Sequence, residues 1–233
     1  IKKKSGKYII FGLPPGGLFT PKKKLDFGNS GTSIRLITGL ISSNNIKAVL
    51  VGDKSLSSRP MKRVTEHLKR IGAIFILKKN NFLPMKINGS PNPVPLNYEI
   101  LIPSAQIKSA VMLSALNTLG KVKIKEFAST RDHTERMLKT MNYDISFKEK
   151  KPHRFITMSN KRELKPLKYK VAGDPSSAAF MITAASLNIG SKIKVKDMLY
   201  NPTRIGFLKT LKKMGANIEI KNKRIVHNEI IAD

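Results

Sequence analysis

One stretch near the start of the chain decides the fold: residues 28–41, which read GNSGTSIRLITGLI. A turn built from glycine, asparagine and serine leads directly into an apolar segment rich in small residues, which predicts a helix over 32–42. The first turn of a helix leaves backbone N–H groups unpaired, and Gly31 has no Cβ to keep a small anion away from them. Taken alone, the stretch fits an ordinary capped turn or a phosphate or carboxylate site, to which Arg35 would add charge.

The segments around this stretch recur three times along the chain. In each copy a helix rich in small apolar residues is followed by a strand, an amphipathic helix and two further strands. The amphipathic helices end at residues that tolerate a left-handed backbone, Gly72, Asn142 and Gly215, which are 70 and 73 residues apart. Self-similarity at a fixed period is typical of repeat architectures. With a strand expected before each first helix, the sequence predicts βαβαββ units.

The first helices of the three copies are predicted at 32–42, 104–116 and 176–187. The strands are predicted at 46–51, 74–77, 85–87, 122–124, 145–147, 155–158, 193–195, 218–220 and 224–226. The 176–187 helix is apolar on nearly every side and should be buried, whereas the amphipathic helices carry lysine and arginine outward. Buried helices inside a ring of sheets, with surface helices outside, satisfy both patterns.

A lysine- and proline-rich stretch before the third copy marks the best domain boundary. We place one domain at 1–170, with residues 1–27 as the tail of an earlier unit followed by two complete units. The second domain is placed at 171–233 and contains its first unit only, so both domains are expected to be partial.

The composition is that of a globular protein with an unusually high charge. Hydrophobic residues make up 40% and charged residues 25%, which argues against wholesale disorder. The formal charge of +29 first suggests a polyanion partner. The basic residues are spread along the chain, however, aromatic residues are only 6%, and no zinc-finger or basic-zipper spacing occurs. We therefore favour a solvated basic surface and expect no nucleic-acid partner.

The sequence also restricts the environment of the protein. No segment has the length and apolar character of a membrane span, so we expect no membrane partner. Cysteine is absent, which excludes disulfides, thiolate metal sites and cysteine nucleophiles. The same absence fits a reducing compartment, and we expect a cytoplasmic location.

A second polar loop lies at residues 52–60, between a predicted strand and a predicted helix. Pro60 suits the first position of that helix, which leaves Arg59 on the loop. A planar guanidinium binds phosphate or carboxylate bidentately, so Arg59 is a candidate anion ligand. The alternative is a solvated arginine.

Two further helix starts carry polar residues. Ser104 suits an N-cap, and Gln106 lies on the first turn of an otherwise apolar helix. A buried amide needs partners, either a polar ligand or a backbone carbonyl. Residues 128–136 offer a second anion site or a helix cap with local ion pairs, through Thr130, Arg131 and His133.

Six motifs resemble, in order and spacing, those of the EPSP synthase family, the 3-phosphoshikimate 1-carboxyvinyltransferases. They are GNSGTSIR at 28–35, SRPM at 58–61, PSAQIKSA at 103–110, RDHTER at 131–136, GDPSSAA at 173–179 and NPTR at 201–204. The resemblance covers nearly all of the chain. It implies an α/β fold, an inside-out α/β barrel of βαβαββ units in two domains, of which one is mostly present here and the other is partial.

The resemblance also implies a reaction and its binding residues. Family members transfer the enolpyruvyl group of phosphoenolpyruvate to the 5-hydroxyl of shikimate 3-phosphate, in the shikimate pathway to chorismate and aromatic amino acids, without a metal or organic cofactor. Gly31, Arg59 and Gln106 would bind phosphoenolpyruvate. Shikimate 3-phosphate would be bound by Ser104, Ala105, Gln106, Thr130 and Arg131, although Thr130 stands where a serine is usual. Asp174 would be a hinge residue or a phosphate contact, and the full-length protein is expected to be a monomer.

The chain departs from the family pattern at both ends. A Lys-Ser pair followed by an arginine would precede Ile1, and an aspartate and a later Lys-Glu motif would follow Asp233. General acid–base catalysis needs its groups within hydrogen-bond reach of the reacting atoms. We therefore assign no catalytic residue to this chain and expect it to show no turnover on its own.

Two alternatives remain open. The UDP-N-acetylglucosamine enolpyruvyl transferases have the same fold and donor, but they usually carry a cysteine in the loop before the Arg-Pro pair. This chain has LSSRP at 56–60 and no cysteine. A basic nucleic-acid-binding protein is the other alternative; it depends on charge alone, and steep salt-dependent binding of DNA would support it.

Overall fold

The chain folds into two compact units. The computed structural model describes residues 1–159 and 163–233. Unit 1 comprises Ile1–Ser129 with Asp144–Glu163, and unit 2 comprises Thr130–Tyr143 with Leu164–Asp233. The two units are defined by contacts between residues and do not follow the order of the repeats along the chain. The domain division at 1–170 and 171–233 therefore stays a prediction.

Unit 1 contains two four-stranded sheets of the same topology. Its strands are β1 (Lys2–Lys4), β2 (Lys7–Ile9), β3 (Leu25–Asp26), β4 (Lys47–Val51), β5 (Ile74–Lys78), β6 (Phe82–Asn88), β7 (Asn97–Ile100), β8 (Val122–Glu126), β9 (Ile145–Lys150) and β10 (His153–Met158). β1 and β2 form a separate antiparallel pair, and the two sheets have the orders β3-β4-β6-β5 and β7-β8-β10-β9. In both sheets the first pair is parallel and the other pairs are antiparallel. The common order confirms the predicted repeat in this unit.

The helices of unit 1 are α1 (Gly31–Ser42), α2 (Lys54–Ser57), α3 (Lys62–Lys69) and α4 (Ala105–Ala115). The first helices of the two copies, α1 and α4, pack side by side and run in the same direction. At their starts Gln106 Nε2 donates to Thr32 Oγ1 at 2.8 Å, and just past their ends Asn117 Nδ2 donates to Ser43 Oγ at 3.4 Å. The predicted burial of these two helices is confirmed by the buried residues along both of them.

Unit 2 is a small α/β unit. Its helices and strands are α5 (His133–Thr140), α6 (Pro175–Leu187), β11 (Met198–Leu199), α7 (Gly206–Lys213), β12 (Arg224–Val226) and β13 (Glu229–Ala232). The strands form an antiparallel sheet of order β11-β13-β12. Its apolar core consists of Ile182, Met198, Ile205 and Leu208.

The amphipathic helices end where the sequence predicts. Gly72, Asn142 and Gly215 follow α3, α5 and α7 and have φ values of +98°, +60° and +97°. A residue with positive φ lets the last turn of a helix close on its own carbonyls. The amides of Asn142 and Gly215 accordingly donate to helix carbonyls, each at 3.0 Å.

Two predicted strands of unit 2, at 193–195 and 218–220, are wrong. Side chains at both places pack against the core of unit 2, as their alternating pattern requires, but their backbones are not part of its sheet. A strand needs a neighbouring backbone with which to pair, and an apolar pattern does not supply one. Beside the second segment, Lys221 and Asp233 exchange one pair of backbone hydrogen bonds at 2.9 Å.

The helix predicted at 176–187 is present as α6, but the prediction that it is buried is wrong. Its buried residues are Pro175 and Ile182, whereas Phe180 and Leu187 are each 79% exposed. Its neighbours in unit 2 pack on the side of Ile182, which leaves the other sides of an apolar helix uncovered. In the part of the chain that the structure describes, no helix has the length and apolar character needed to cross a membrane.

Candidate functional site

The start of α1 is held by its own turn. The Ser30 hydroxyl accepts a hydrogen bond from the amide of Ser33 at 3.2 Å, which makes Ser30 the N-cap. Gly28, with φ of +51°, turns the chain, and its carbonyl accepts from the amide of Asp53 at 2.9 Å. The loop before α1 and the loop before α2 therefore lie side by side.

Arg59 lies between two helices, because the chain contains a short helix, α2, that the sequence did not predict. Asp53 caps α2 by accepting from the amide of Leu56 at 2.7 Å. α2 ends at Ser57 and α3 begins only at Lys62, so the residues between them form the connection. The prediction that Pro60 takes the first helical position is therefore wrong, whereas the placement of Arg59 on the connecting loop is confirmed.

The guanidinium groups of Arg35 and Arg59 meet at Gly31. Arg59 Nη2 donates to Asn29 Oδ1 at 2.7 Å, which holds it across the turn before α1. Arg35 Nη1 donates to the carbonyl of Gly31 at 2.9 Å. A Cβ built on Gly31 would lie 2.8 Å from Nη1 of Arg35 and 3.2 Å from Nη1 of Arg59. Glycine is therefore what lets both groups lie this close to the backbone.

Gln106 joins α4 to this group. Its Oε1 accepts from Arg35 Nη1 at 3.0 Å, and its Nε2 donates to Thr32 Oγ1 at 2.8 Å. The sequence left a ligand and a backbone carbonyl as possible partners of this amide; the structure shows two side chains of α1 instead. Ser104 is the N-cap of α4, as predicted, accepting a backbone amide at 3.4 Å, and Ala105 is the first helical residue.

The two guanidinium groups concentrate positive charge at the start of α1. The pKa of Arg35 is lowered from its ordinary value, first by burial and then by the positive charges of Arg59 and Arg63. Within residues 1–159 and 163–233, no carboxylate forms an ion pair with Arg35 or Arg59. A bound anion would offset the repulsion, and it would also face the N-terminus of a helix. The arrangement is suited to a small molecule that carries phosphate or carboxylate.

The other residues assigned by resemblance lie in unit 2. Thr130 is half-buried and Arg131 is exposed, directly before α5. Asp174 caps α6 by accepting from the amide of Ser177 at 3.0 Å, and it pairs with Arg204 Nη2 at 2.6 Å. Burial raises the pKa of Asp174, but the hydrogen bonds from Ser177 and Arg204 outweigh it and hold the pKa below the ordinary 3.8. Its role as a hinge or phosphate contact stays a prediction.

Two features of unit 1 go beyond the residues assigned by resemblance. Arg35 was expected from the sequence to add charge at the start of α1 but was not assigned as a binding residue, although its spacing of four residues from Gly31 places it over the same helical turn. Lys108 is fully buried on α4, where its Nζ lies 3.2 Å from Glu126 Oε1, and Arg154 Nη1 lies 3.4 Å from the same oxygen. This buried group ties the helix that carries Gln106 to β8 and β10.

Known proteins are similar to this chain along nearly its full length. A family model described as EPSP synthase (3-phosphoshikimate 1-carboxyvinyltransferase) matches residues 2–230. The chain belongs to the EPSP synthase family. The 3-phosphoshikimate 1-carboxyvinyltransferase of Ruegeria sp. (strain TM1040) is 44% identical over 228 residues, which cover 98% of this chain and 51% of the relative. That of Zymomonas mobilis subsp. mobilis is 43% identical over 232 residues, which cover 100% of this chain and 51% of the relative.

The family likeness extends to a solved structure. EPSP synthase from Acinetobacter baumannii matches with a TM-score of 0.84 at 36% identity, covering 100% of this chain and 52% of that chain. The match confirms the predicted fold class, including its partial extent. The chain spans about half the length of the curated relatives it matches.

Proposed function

We propose that this chain contributes the binding residues of an enzyme that transfers the enolpyruvyl group of phosphoenolpyruvate to the 5-hydroxyl of shikimate 3-phosphate and releases phosphate. The observation that carries the proposal is the meeting of two guanidinium groups, those of Arg35 and Arg59, at the bare backbone of Gly31. The relatives named 3-phosphoshikimate 1-carboxyvinyltransferase support the same reaction. Its product would serve the synthesis of chorismate and aromatic amino acids.

The donor is bound in unit 1 on this proposal. Phosphoenolpyruvate carries a phosphate and a carboxylate, and Arg35 and Arg59 together provide two forks of N–H donors at one place. Charge-assisted hydrogen bonds are about twice as strong as neutral ones, so arginine supplies most of the donor affinity. Gly31 lets the anion approach the helix start, and Gln106 meets the donor from the start of α4.

The acceptor residues of this proposal are those that the resemblance implies. We propose that Ser104, Ala105 and Gln106 bind shikimate 3-phosphate and that Thr130 and Arg131 bind its phosphate. We further propose that the full-length protein is a cytoplasmic monomer. Support for the location comes from the absence of cysteine, which suits a reducing compartment.

Binding of phosphoenolpyruvate to the 233-residue chain tests the proposal, measured by titration calorimetry at low salt. We expect Arg59→Ala to weaken binding by about tenfold or more, the loss of one charge-assisted hydrogen bond. Lys69→Ala, on the exposed face of α3, removes the same charge at a distance and is the matched control. Equal affinity of the two variants, or no binding by the unaltered chain, would refute the donor site.

A second experiment addresses the reaction itself. A reading frame that contains this sequence is expressed in a bacterial strain that lacks its own 3-phosphoshikimate 1-carboxyvinyltransferase and cannot grow without aromatic amino acids. We expect growth to be restored by the unaltered frame and lost with Arg59→Ala. We expect the purified 233-residue chain alone to release no phosphate from the two substrates. Equal growth with the unaltered frame and with Arg59→Ala would contradict the assignment.

A further inference from the structure

The start of α5 in unit 2 is tied to two segments far away in sequence. Asp132 stands at the N-cap position, but its side chain makes no capping hydrogen bond to the helix. Its Oδ1 accepts from Asn201 Nδ2 at 2.8 Å, and its Oδ2 pairs with Arg136 Nη2 at 2.9 Å. The side chain of Asp132, which directly follows Arg131, is therefore held by Asn201, far away in sequence, and by Arg136 of the same helix.

Glu229, at the start of β13, extends this group of contacts. The residue is 5% exposed, and its Oε1 lies 2.7 Å from Nδ1 of His133. Its Oε2 accepts from Asn201 Nδ2 at 3.2 Å and lies 3.6 Å from Nε of Arg136. A buried carboxylate is tolerated only where it is paired and hydrogen-bonded, so these contacts join β13 firmly to the first turn of α5.

Asn201 is the centre of the group. It is 1% exposed and belongs to the NPTR motif, to which the proposed function gives no role. Its Oδ1 accepts from both the amide and the hydroxyl of Thr203, at 2.9 and 2.7 Å. That leaves its Nδ2 directed at Asp132 and Glu229. The amide is held in one orientation, and it holds two carboxylates.

The contacts of Asp132 affect the charge next to Arg131. Asp132 follows Arg131 directly, and an unengaged carboxylate at that position would compete with a phosphate for the Arg131 guanidinium. In the structure that carboxylate is bonded to Asn201 and Arg136 instead. The pKa of Arg136 is raised, first by its hydrogen bond with Asp132, so its guanidinium remains a charged partner.

We propose that Asn201 and Glu229 are positioning residues for Thr130 and Arg131: they fix the start of α5 and keep Asp132 away from the phosphate site. The inference rests on the proposed function, because it takes Thr130 and Arg131 as ligands of the phosphate of shikimate 3-phosphate. Asn201 and Glu229 do not bind the substrate. They act through Asp132 and His133, the first residues after the binding pair.

Amide hydrogen exchange and substrate affinity of the 233-residue chain test the inference together. We expect Asn201→Ala to speed amide exchange at Thr130–His133 by about tenfold and to weaken the binding of shikimate 3-phosphate by a similar factor. The affinity for phosphoenolpyruvate should change less than about twofold, because its residues lie in unit 1. Asn188→Ala is the control, since this exposed asparagine of unit 2 lies outside the group.

A double variant separates positioning from a general loss of structure. Asp132→Asn in the Asn201→Ala background removes the competing carboxylate, so we expect part of the shikimate 3-phosphate affinity to return. Glu229→Gln preserves the side-chain volume and serves if Asn201→Ala does not fold. Equal losses for both substrates, or no recovery in the double variant, would overturn the inference.

The exchange measurement distinguishes the two proposals. If substitution of Asn201 and Glu229 leaves the exchange rates at Thr130–His133 unchanged, the inference is overturned, whatever the affinities for the two substrates. If exchange responds as expected but the unaltered chain binds no shikimate 3-phosphate, the acceptor site of the proposed function fails, and the positioning role falls with it.

Discussion

Gly39 should be hard to replace, although it lies inside a helix where alanine is intrinsically preferred. Gly39 is buried on α1 and faces the backbone of α4. An added Cβ would lie 2.1 Å from the carbonyl oxygen of Ala110 and 2.6 Å from its Cα. Because the obstacle is backbone, no rotamer change can relieve it, and Gly39→Ala has to push the two helices apart.

The size of the effect follows from these distances. The Cβ–oxygen distance is 1.3 Å short of the 3.4 Å at which ordinary contact begins. Overpacking costs about 1–3 kcal/mol, and a backbone clash belongs at the upper end, whereas the helix preference for alanine over glycine returns about 1 kcal/mol. We expect a net loss of about 2 kcal/mol, or about 4–8 °C in Tm for a chain of this length. The 3.0 Å hydrogen bond between Arg35 and Gln106 should lengthen as well.

Urea unfolding followed by circular dichroism measures the loss, and calorimetry with phosphoenolpyruvate measures the effect on the site. Gly206→Ala is the matched control, because it is also a helical glycine and nothing lies within 4 Å of its added Cβ. The control should be neutral or stabilising by up to about 1 kcal/mol. A Gly39→Ala protein as stable as the Gly206→Ala protein would show that the two helices are not packed this closely, and the reasoning would fail.

Three further predictions concern the site, the core and the pH dependence of stability. Gly31→Ala should leave the urea midpoint nearly unchanged, because the atoms that its Cβ would crowd are the ends of flexible arginine side chains and Leu56 lies at an ordinary contact distance of 3.8 Å. The same change should weaken the binding of phosphoenolpyruvate by about tenfold in calorimetry, and an unchanged affinity would contradict the site. Lys108→Met should destabilise unit 1 by about 3 kcal/mol in urea unfolding, near the lower bound for a broken buried pair because Arg154 still contacts Glu126. A Lys108→Met/Glu126→Gln chain should lose less than the sum of its single variants, and strict additivity would argue against the pair. The folded-state pKa of Asp174 lies below 3.8, so its stabilisation is present above pH 3.8 and is lost as the pH falls through the lower folded value. The stability difference between the unaltered chain and Asp174→Asn should therefore shrink below about pH 4, and a difference that grows on acidification would reverse the sign of the argument.

The elements that the sequence predicted best are those with a local physical signal. Gly72, Asn142 and Gly215 mark helix ends because each of them tolerates the positive φ that a helix end requires. The buried helix predicted at 32–42 is α1, Gly31–Ser42, because its cap and its apolar pattern both lie within the same stretch. Such signals depend on neighbours in sequence, so the helices that carry them could be placed from the sequence alone.

The failures concern partners that no local pattern specifies. The segments 193–195 and 218–220 have the alternation of strands, yet their backbones are not paired in the sheet of unit 2. The short helix α2 was missed because its signal is the cap by Asp53, within a loop that otherwise reads as a turn. Lys108 interrupts an apolar helix, which is a visible anomaly, but its partner Glu126 could not be chosen from the sequence.

The candidate site was predicted as separate motifs, and what the fold adds is the reason they meet. The two copies of the repeat in unit 1 have sheets of the same order, so each presents its first helix in the same way. α1 and α4 run in the same direction and approach closely at Gly39, which brings two equivalent helix starts together. Arg35 and Gln106 are 71 residues apart in sequence but only 3.0 Å apart in space. Packing the buried helices of a repeat side by side also aligns their N-termini. A repeat with polar residues near the start of the first helix in each copy can therefore build one anion site from both copies.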